Sequence, residues 1–560
     1  MLRLTGLLDR IRVTLAVVLF AMVWSSSVRA VEWNPAGSGD VLLFPYYTAR
    51  QGEAGSFVTL LTLVNESERI KAARVRFYEG AQGRPVLEFV VYLAPRDTWV
   101  GAVLPEGSGA GIVTPDSSCT DPALSRDDGA PTSFGKDPVT GSEQMPPAEV
   151  VEGYIEVFQL GDYGTGADAP SGSVAAAILS ASLSGQAEPT ECARVRSDDG
   201  SEAAWAPGSL AGNATYIDVF RALELVQPAV ALVDFVASRP SWYRPTRDRP
   251  TLADAQPSIS LVHRAGLGTI RTQWSRPIEA VTAVLMTSAV TGEFVLDRAT
   301  ASQSAWLLTM PTRRHHVVPG EPPIAPFVSP VSDGSPRCEP TASERWGNLF
   351  DRTGRALPAS GGFLSPPNPA RGLCWSTTAI DFGPSDLLGS RFGWAFMRAP
   401  SGSGAISFQP VTQIPENGWM RVPLHLDELP PAAPPGQVLP SHAITGGATT
   451  ILRSDGTSES LPSITIHGLP VIGFYASTFR NGALPLASGP VLANYGLDSL
   501  RFVKPIQPGE TIKVRLTAKD KSPRNKQYGE VRWDVEILTD KDESAATYEL
   551  LTMNAVRPAA

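Results

Sequence analysis

In the stretch "AARVRFYEG" (residues 72–80), apolar and polar side chains alternate, and this alternation decides the fold class. In an extended chain Val75 and Phe77 fall on one face. Arg74 and Arg76 fall on the opposite face. The pattern is typical of a β-strand with one face in the core and the other in water.

Four similar runs surround this strand and extend the same interpretation. They read "DVLLFPYYT" (40–48), "SFVTLLTLVNES" (56–67), "VLEFVVYLAP" (86–95) and "TWVGAVL" (98–104). Turn-forming residues separate them. Five strands in about sixty-five residues predict an immunoglobulin-like β-sandwich.

The next part of the chain mixes loops with regular elements. Residues 105–150 are rich in turn formers and show no period, so they predict loops. "VEGYIEVFQL" (151–160) predicts a strand. "SGSVAAAILSASLSG" (171–185) predicts a short helix, because alanine favours one.

A second β-rich region is predicted from about residue 257 onward. Its runs include "AVTAVLMTSAV" (280–290), "GEFVLD" (292–297), "SAWLLTMP" (304–311), "CWSTTAIDF" (374–382), "GWAFM" (393–397), "GWMRVPLHL" (418–426) and "ITIHGLPVIGFYAST" (464–478). The predicted class is mainly β: sandwich domains followed by a partial sheet. The predicted divisions are 1–30, 31–250, 251–487 and 488–560.

The first thirty residues predict a secretory signal peptide. A basic start containing Arg3 and Arg12 precedes "VTLAVVLFAMVW" (13–24), an apolar run too short for a comfortable membrane span. The following "SSSVRA" predicts cleavage after Ala30, and a retained anchor is the alternative. We therefore expect a bacterial protein that is exported to the periplasm, the outer surface or the medium.

The composition indicates a folded protein and argues against one class of partner. A hydrophobic content of 42% with 18% charged residues fits a folded protein. The net charge of −9 argues against a nucleic-acid partner, which would require a basic face.

The number of cysteines is consistent with an exported protein. Their number is even, which indicates disulfides in an exported chain; they are Cys119, Cys192, Cys338 and Cys374. Three pairings are open, and sequence order favours 119 with 192 and 338 with 374. A metal site is the weaker alternative, because the chain has no C-x-x-C spacing and no histidine close to a cysteine.

The first 487 residues do not predict a catalytic, cofactor-binding or metal-binding residue. The Gly-x-Ser-x-Gly nucleophile motif is absent from the sequence. "TRRHHVVPG" (312–320) places two arginines beside His315 and His316, but adjacent strand residues point to opposite faces and would not chelate one ion easily. A solvated loop is the favoured interpretation. The four Asp-Gly pairs lack the regular aspartate spacing of a calcium loop and are interpreted as turns.

The composition changes near residue 489. Only Lys71 and Lys136 precede Lys504, whereas "ETIKVRLTAKDKSPRNKQYGEVRWDVEIL" (510–538) alone holds four lysines. Lysine and arginine solvate a surface equally well, so the change indicates a different origin for the C-terminal segment.

The C-terminal segment resembles the MaoC-like hot-dog hydratase domain. "NYGLDSLRF", "PGETIKVRLT" and "YGEVRWDVEI" occur in the family's order, and the resemblance covers residues 488–556. It is strongest to the C-terminal domain of bifunctional aldehyde dehydrogenase/oxepin-CoA hydrolase proteins. The resemblance implies activity on acyl-CoA-type substrates through an Asp and a His in a D-x-N-P-x-H-like motif.

That catalytic motif is missing here. The nearest candidates, Asp455 and His467, are twelve positions apart rather than five. The match is to the strands of the back half of the fold. A central helix beginning at His467 is disfavoured, because Pro470 and β-branched residues follow.

Residues 31–487 resemble a group of uncharacterised exported bacterial β proteins. Two functions follow as alternatives. The first is a non-enzymatic protein of the envelope or exterior, with a surface, adhesive or structural role and with cell-surface or envelope components as partners. The second is an acyl-CoA hydratase-like enzyme, expected to be inactive here.

Residues 498–556 should form an antiparallel sheet of about four strands. Its expected apolar face comprises Ile512, Val514, Leu516, Val531, Trp533, Val535 and Ile537. The opposite face should carry cross-strand charge pairs among Lys513, Arg515, Arg532, Asp534 and Glu536. Without a central helix, the apolar face needs another cover, stays exposed or drives self-association.

Overall fold

The structure is a computed structural model. It describes residues 29–52, 55–125, 130–136, 142–167, 169–184, 189–205, 207–221, 223–236, 249–297, 302–332, 335–336, 339, 349–355, 373–382, 387–395, 406–407, 417–425, 442–479, 491–504, 512–524, 528–539 and 541–555. The predicted signal peptide therefore lies outside the described residues, except for Arg29 and Ala30.

Strands dominate the first part of the chain. They are β1 Val31–Asn34, β2 Val41–Thr48, β3 Gln51–Gly52, β4 Gly55–Asn65, β5 Lys71–Glu79, β6 Pro85–Leu93, β7 Thr98–Glu106, β8 Gly109–Val113, β9 Thr120–Asp121, β10 Thr132–Ser133, β11 Glu152–Asp162, β12 Leu210–Asp218, β13 Leu223–Pro228 and β14 Val230–Val233. The helices here are α1 Val174–Ser184 and α2 Cys192–Arg196, with a short 3-10 helix at Pro147–Glu149.

The middle part is also mainly β. Its strands are β15 Ile259–Arg264, β16 Gly268–Gln273, β17 Met286–Thr287, β18 Ala289–Val295, β19 Gln303–Thr309, β20 Val331–Ser332, β21 Ser335–Pro336, β22 Leu349–Asp351, β23 Thr377–Phe382, β24 Gly393–Ala395, β25 Ile406–Ser407, β26 Asn417–Pro423, β27 Ala443–Gly446, β28 Thr449–Leu452, β29 Ser458–Leu461, β30 Ile464–His467, β31 Leu469–Pro470 and β32 Ile472–Thr478. Helix α3 Pro277–Leu285 and the 3-10 helices Leu252–Asp254 and Arg313–His315 join them.

Two large sheets form the main layers. The first has eleven strands in the order β29-β28-β16-β15-β1-β14-β2-β11-β5-β6-β9. The second has seven strands: β3 pairs with β4, which belongs to the order β10-β8-β7-β4-β12-β13. The rings of Phe89 and Trp99 meet between the sheets at 5.5 Å, and those of Tyr46 and Tyr216 at 5.6 Å. The two sheets therefore pack face to face over a shared aromatic and aliphatic core.

The large layers cross the predicted division at residue 250. Strands β15, β16, β28 and β29 extend the eleven-stranded sheet. Ala305 and Leu307 of β19 belong to the same buried cluster as Phe44 and Phe77. Residues from both sides of position 250 therefore share a sheet and a core, and the division into separate folding units stays a prediction.

The mainly β prediction is confirmed, and so is the helix predicted within residues 171–185, which is α1. The immunoglobulin-like character of the sandwiches stays a prediction. The interpretation of residues 280–290 as strand is wrong in its first half, because α3 runs from Pro277 to Leu285. Pro277 occupies the first turn, and the Glu279 carboxylate accepts the Arg276 N–H at 3.1 Å, as expected at a helix start.

The predicted C-terminal sheet is also confirmed. Its strands are β33 Val491–Phe502, β34 Lys513–Pro523, β35 Tyr528–Leu538 and β36 Ser544–Ala555, in the antiparallel order β33-β36-β35-β34. The four hydrophobic clusters of the described residues contain nothing beyond Ala476. The described side chains of this sheet are therefore not part of those cores. In the described part of the chain no helix has the length and apolar character needed to cross a membrane.

Candidate functional site

The polar face of strand β5 is the most heavily charged buried surface that we identify. The register places Arg76 directly beside Glu88 of β6 and beside Glu156 of β11. It also places Tyr78 beside Tyr154 of β11. Alternation within three adjacent strands thus concentrates arginine, glutamate and tyrosine on one face.

Close contacts link these side chains. Arg76 Nε donates to Glu88 Oε2 at 2.6 Å, and Arg74 Nε lies 3.2 Å from Glu88 Oε1. The Tyr78 and Tyr154 rings stack with centroids 4.9 Å apart. One carboxylate therefore joins two arginines from the same strand.

The chain covers this face from two distant segments. The carbonyl of Arg249 accepts from Arg74 Nη1, and the carbonyl of Pro250 accepts from Arg76 Nη1. The expectation that the polar face of this strand meets water is therefore wrong: every residue of β5 is buried. We call this face, with its cover, the buried charged layer.

Arg314 completes the buried charged layer from the other side. Its Nη2 donates to Tyr78 Oη at 2.8 Å and to Glu156 Oε2 at 3.3 Å. Its guanidinium carbon lies 4.2 Å from the centroid of the Tyr78 ring, within cation–π range. Arg314 thus connects residues 312–316 to the first sheet.

The interpretation of residues 312–320 as a solvated loop is wrong at its first positions. Only 1% of Arg313 is exposed, and His316 is fully buried. The cause is tertiary: the segment forms a 3-10 helix, Arg313–His315, that is pressed against the first sheet. Val318 and the two residues that follow it are exposed to solvent.

His315 and His316 contact different neighbours. The His316 ring lies 2.9 Å from Thr282 Oγ1 and 5.6 Å from the Phe327 ring. Burial, assisted by the nearby Arg276, lowers the pKa of His316 to about 3. Burial also lowers the pKa of His315, and Arg314 adds to that effect. Both rings are neutral near pH 7, and the described residues contain no cluster suited to a metal ion.

Burial shifts the pKa of several side chains in the buried charged layer. Burial raises the pKa of Tyr78 and of Tyr154, so both stay protonated near neutral pH. Burial also raises the pKa of Glu156, against the opposing effect of Arg314. An arginine does not exchange its proton at neutral pH. The arrangement is suited to binding the two chain segments together.

A second buried polar contact lies near Arg313. Glu339 accepts the backbone N–H groups of Val328 and Ser329, each at 3.1 Å. Its carboxylate lies 3.6 Å from His442 Nδ1, and both side chains are fully buried. Burial raises the pKa of Glu339, and His442 opposes that rise.

The predicted disulfide between Cys119 and Cys192 is present. The two Cα atoms are 5.2 Å apart, and both side chains belong to the cluster that holds helices α1 and α2. Cys374 is also disulfide-bonded. Its predicted partner, Cys338, lies outside the described residues.

The residues considered for a hydratase motif are not brought into a site. Asp455 lies in an exposed turn, where it accepts the Thr457 N–H at 2.9 Å and the Thr457 hydroxyl at 2.6 Å. His467 ends strand β30 rather than beginning a helix, as the proline pattern predicted. Its ring lies 4.2 Å from that of His425.

The charged face of the C-terminal sheet is built as predicted. Arg515 pairs with Glu536 at 2.7 Å across β34 and β35, and Arg532 with Glu549 at 2.9 Å across β35 and β36. Lys519 lies between Asp534 and Glu549. These pairs are exposed and solvated, so each contributes little to stability.

The apolar face of the same sheet is covered unevenly. Trp533 and Val535 of β35 are buried, and Trp533 Nε1 donates to Thr552 Oγ1 at 2.8 Å. Next to the edge strand, Ile512 is 48% exposed and Val514 is 54% exposed. Among the residues predicted for the apolar face, the strongly exposed ones thus lie at the β34 edge.

Comparison with known proteins gives a partial match. Over 84 residues the chain is 34% identical to "Protein MaoC" of Klebsiella aerogenes, which covers 14% of this chain and 24% of that protein. The chain therefore spans about a quarter of the length of the curated relative that it matches. The match supports a MaoC-like segment, as the C-terminal residues predicted.

The similarity of the chain to solved structures is weak. A monoamine oxidase regulatory protein from Archaeoglobus fulgius matches 12% of this chain and 44% of its own, at 24% identity and a TM-score of 0.12. No protein-family model matches the chain.

Sequence reasoning missed the buried ion pair of Lys71. Lys71 Nζ lies 3.0 Å from Asp162 Oδ2, and only 1% of the lysine side chain is exposed. Arg69 Nε donates to the same carboxylate at 2.7 Å. The rarity of lysine before residue 504 was the available signal, because a single lysine in an arginine-rich segment suggests that this side chain makes a specific contact.

Proposed function

We propose that the chain is an exported, non-enzymatic β-rich protein of the bacterial envelope or exterior, with a surface, adhesive or structural role. The observation that carries the proposal is the disulfide between Cys119 and Cys192, which closes inside a hydrophobic cluster. Disulfides form and persist in oxidising compartments, so the bond supports export.

The buried charged layer supports the non-enzymatic part of the proposal. Its side chains are paired with one another across a sheet and its cover, as in the contacts of Arg314 with Tyr78 and Glu156. Buried side chains that are paired in this way stabilise a rigid scaffold.

Fractionation of a bacterial host that expresses the full chain tests the proposal. We expect the protein outside the cytoplasm, with Val31 as its first residue by intact mass and without thiols that react with iodoacetamide. A matched control carries Leu15→Arg and Leu19→Arg, which break the apolar run and should retain the protein in the cytoplasm. An unprocessed wild-type chain with free thiols in the cytoplasm would contradict the proposal.

A second candidate is a hydratase-like activity, favoured by the similarity to "Protein MaoC". Purified full-length protein can be assayed for hydration of crotonyl-CoA. We expect no turnover, since Asp455 and His467 lie in a turn and a strand. Turnover that is lost in Asp455→Asn or in His467→Ala would favour the enzyme over the scaffold.

A further inference from the structure

The predicted cleavage after Ala30 would remove Arg29, whose side chain lies beside Asp234 in this structure. Its guanidinium Nη1 lies 3.6 Å from Asp234 Oδ1. That nitrogen is buried and makes no hydrogen bond, although 37% of the side chain remains exposed. A cation is therefore held against Asp234 by the residue two positions before Val31.

The register of β1 brings the start of the predicted mature chain to the same carboxylate. Glu32 pairs with Val233, and Trp33 pairs with Leu232, in antiparallel register. The paired residues end at Glu32 and Val233, so Val31 and Asp234 are the residues that directly follow the last pair. Asp234 has a φ of 53°, which turns the chain away directly after β14.

A second carboxylate lies beside this position. Asp40 accepts the Phe235 N–H at 3.0 Å and also the Gly208 N–H. The pKa of Asp40 is raised to about 6, chiefly by burial; the N–H groups of Phe235 and Gly208 and the Arg29 guanidinium oppose the rise, and the Asp234 carboxylate adds to it. Loss of Arg29 without replacement would leave two neighbouring carboxylates without their cation.

The bond between residues 30 and 31 is inaccessible in the folded chain. Ala30 is buried and Val31 is fully buried, between strands β14 and β15. Proteases cut exposed, mobile segments. Cleavage after Ala30 must therefore precede the docking of β1.

We propose that Asp234, with Asp40 beside it, is a binding site for the chain's own α-ammonium group at Val31. Cleavage removes the guanidinium of Arg29 and creates this new cation one residue past the cut. The folded, processed chain then carries one positive charge at this site, as Arg29 supplies it in the structure. The inference rests on the export and cleavage stated under Proposed function.

Amine labelling of the exported full-length protein tests the site. Native protein is treated with formaldehyde and cyanoborohydride, and peptide mapping follows methylation at Val31 over time. We expect the Val31 amine to react at least about tenfold more slowly than in denatured protein, which corresponds to about 1.4 kcal/mol. Asp234→Asn should remove most of that protection, and asparagine tolerates the positive φ.

Two controls separate the site from general effects. Glu32→Gln changes a carboxylate on the same strand whose partner is His263 at 2.7 Å, and it should leave the protection unchanged. A chain that starts at Ala30 moves the ammonium by about 3.4 Å without altering a carboxylate, and it should lose the protection.

The outcomes distinguish the inference from the proposed function. A processed chain that starts at Val31 but reacts at the denatured rate overturns the inference and leaves export intact. Protection that Asp234→Asn does not change also overturns it. An unexported chain that retains Met1 overturns both.

Discussion

At the scale of single residues, the ion pair of Lys71 with Asp162 shows how this fold uses a rare charge. Lys71 begins strand β5, and Asp162 ends strand β11, its neighbour in the sheet. Both side chains are almost completely buried, and Arg69 shares the carboxylate. Removing one partner of such a pair leaves a buried charge that is only partly compensated.

Lys71→Met should lower the free energy of unfolding by about 3 kcal/mol, at the low end for a broken buried pair because Arg69 remains. Urea unfolding followed by tryptophan fluorescence measures the change. Lys136→Met is the matched control, since the other lysine of this region is exposed and should change stability by less than about 0.5 kcal/mol. Equal effects of the two changes would contradict the role given to Lys71.

The same pair predicts a pH dependence. Burial raises the pKa of Asp162, but hydrogen bonds from Arg69, Gly164 and Lys71 outweigh that effect and lower it below 3.8. A carboxyl with a depressed folded pKa stabilises the fold above its unfolded pKa, and this contribution disappears as the pH falls through the folded pKa.

We therefore expect the free energy of unfolding to decrease when the pH is lowered past about 4. The decrease should be smaller in Asp162→Asn than in the wild type. Urea titrations at pH 7, 5, 4 and 3 provide the comparison. Parallel pH profiles for the two proteins would show that Asp162 does not contribute.

At the scale of elements, the disulfide fastens the two helices to the sheet. Cys192 begins helix α2, and Cys119 precedes strand β9 at the sheet edge. The bond spans 73 positions of sequence. The bond stabilises the fold mainly because it reduces the conformational entropy of the unfolded chain.

Replacing both residues, as Cys119→Ala with Cys192→Ala, should cost about 4 kcal/mol for a loop of this size. Thermal unfolding of the exported double variant, compared with the wild type, checks the value. Reduction of the wild type by dithiothreitol should approach the same stability, and a fully stable double variant would refute the role of the bond.

The C-terminal sheet is covered incompletely in the part of the chain that the structure describes. Ile512 and Val514 expose apolar surface at the β34 edge, and none of the main clusters includes a residue of this sheet. A sheet with little shared core opens at lower free energy than the rest of the molecule.

Limited proteolysis should therefore cut first between residues 485 and 494 and release a fragment that begins near β33. Mass spectrometry of the early products locates the cut. The fragment that ends near residue 485 should persist, because its clusters are complete without β33–β36. Simultaneous loss of both parts would show that the sheet shares their stability.

At the scale of the whole molecule, the two large sheets unite distant parts of the sequence. Strands β28 and β29 add to the same sheet as β1 and β2, and β19 supplies Leu307 to the cluster of the first strands. We expect a single cooperative unfolding transition for residues 31–479. Differential scanning calorimetry checks this, and a separate transition for residues 31–250 would contradict it.

How far the sequence predicted this structure depends on whether the deciding interaction is local. The strand at residues 71–79 and the helix at 174–184 followed from periodicity and alanine content. The helix at 277–285 did not, because a short apolar run fits a buried strand as well as a buried helix. Most of its residues are apolar and buried, so hydrophobicity alone does not separate the two.

The sequence by itself determined the β class and the four C-terminal strands, and it favoured the Cys119–Cys192 pair among three open pairings. Alternation, turn residues and cysteine order are local properties that survive in any context. Only the tertiary structure decided which polar groups are buried. Arg314 reaches Tyr78 across 236 positions, and this distant cover turned a face expected in water into the buried charged layer. A strand's own residues fix which side chains share a face, but the residues that cover that face come from elsewhere in the chain.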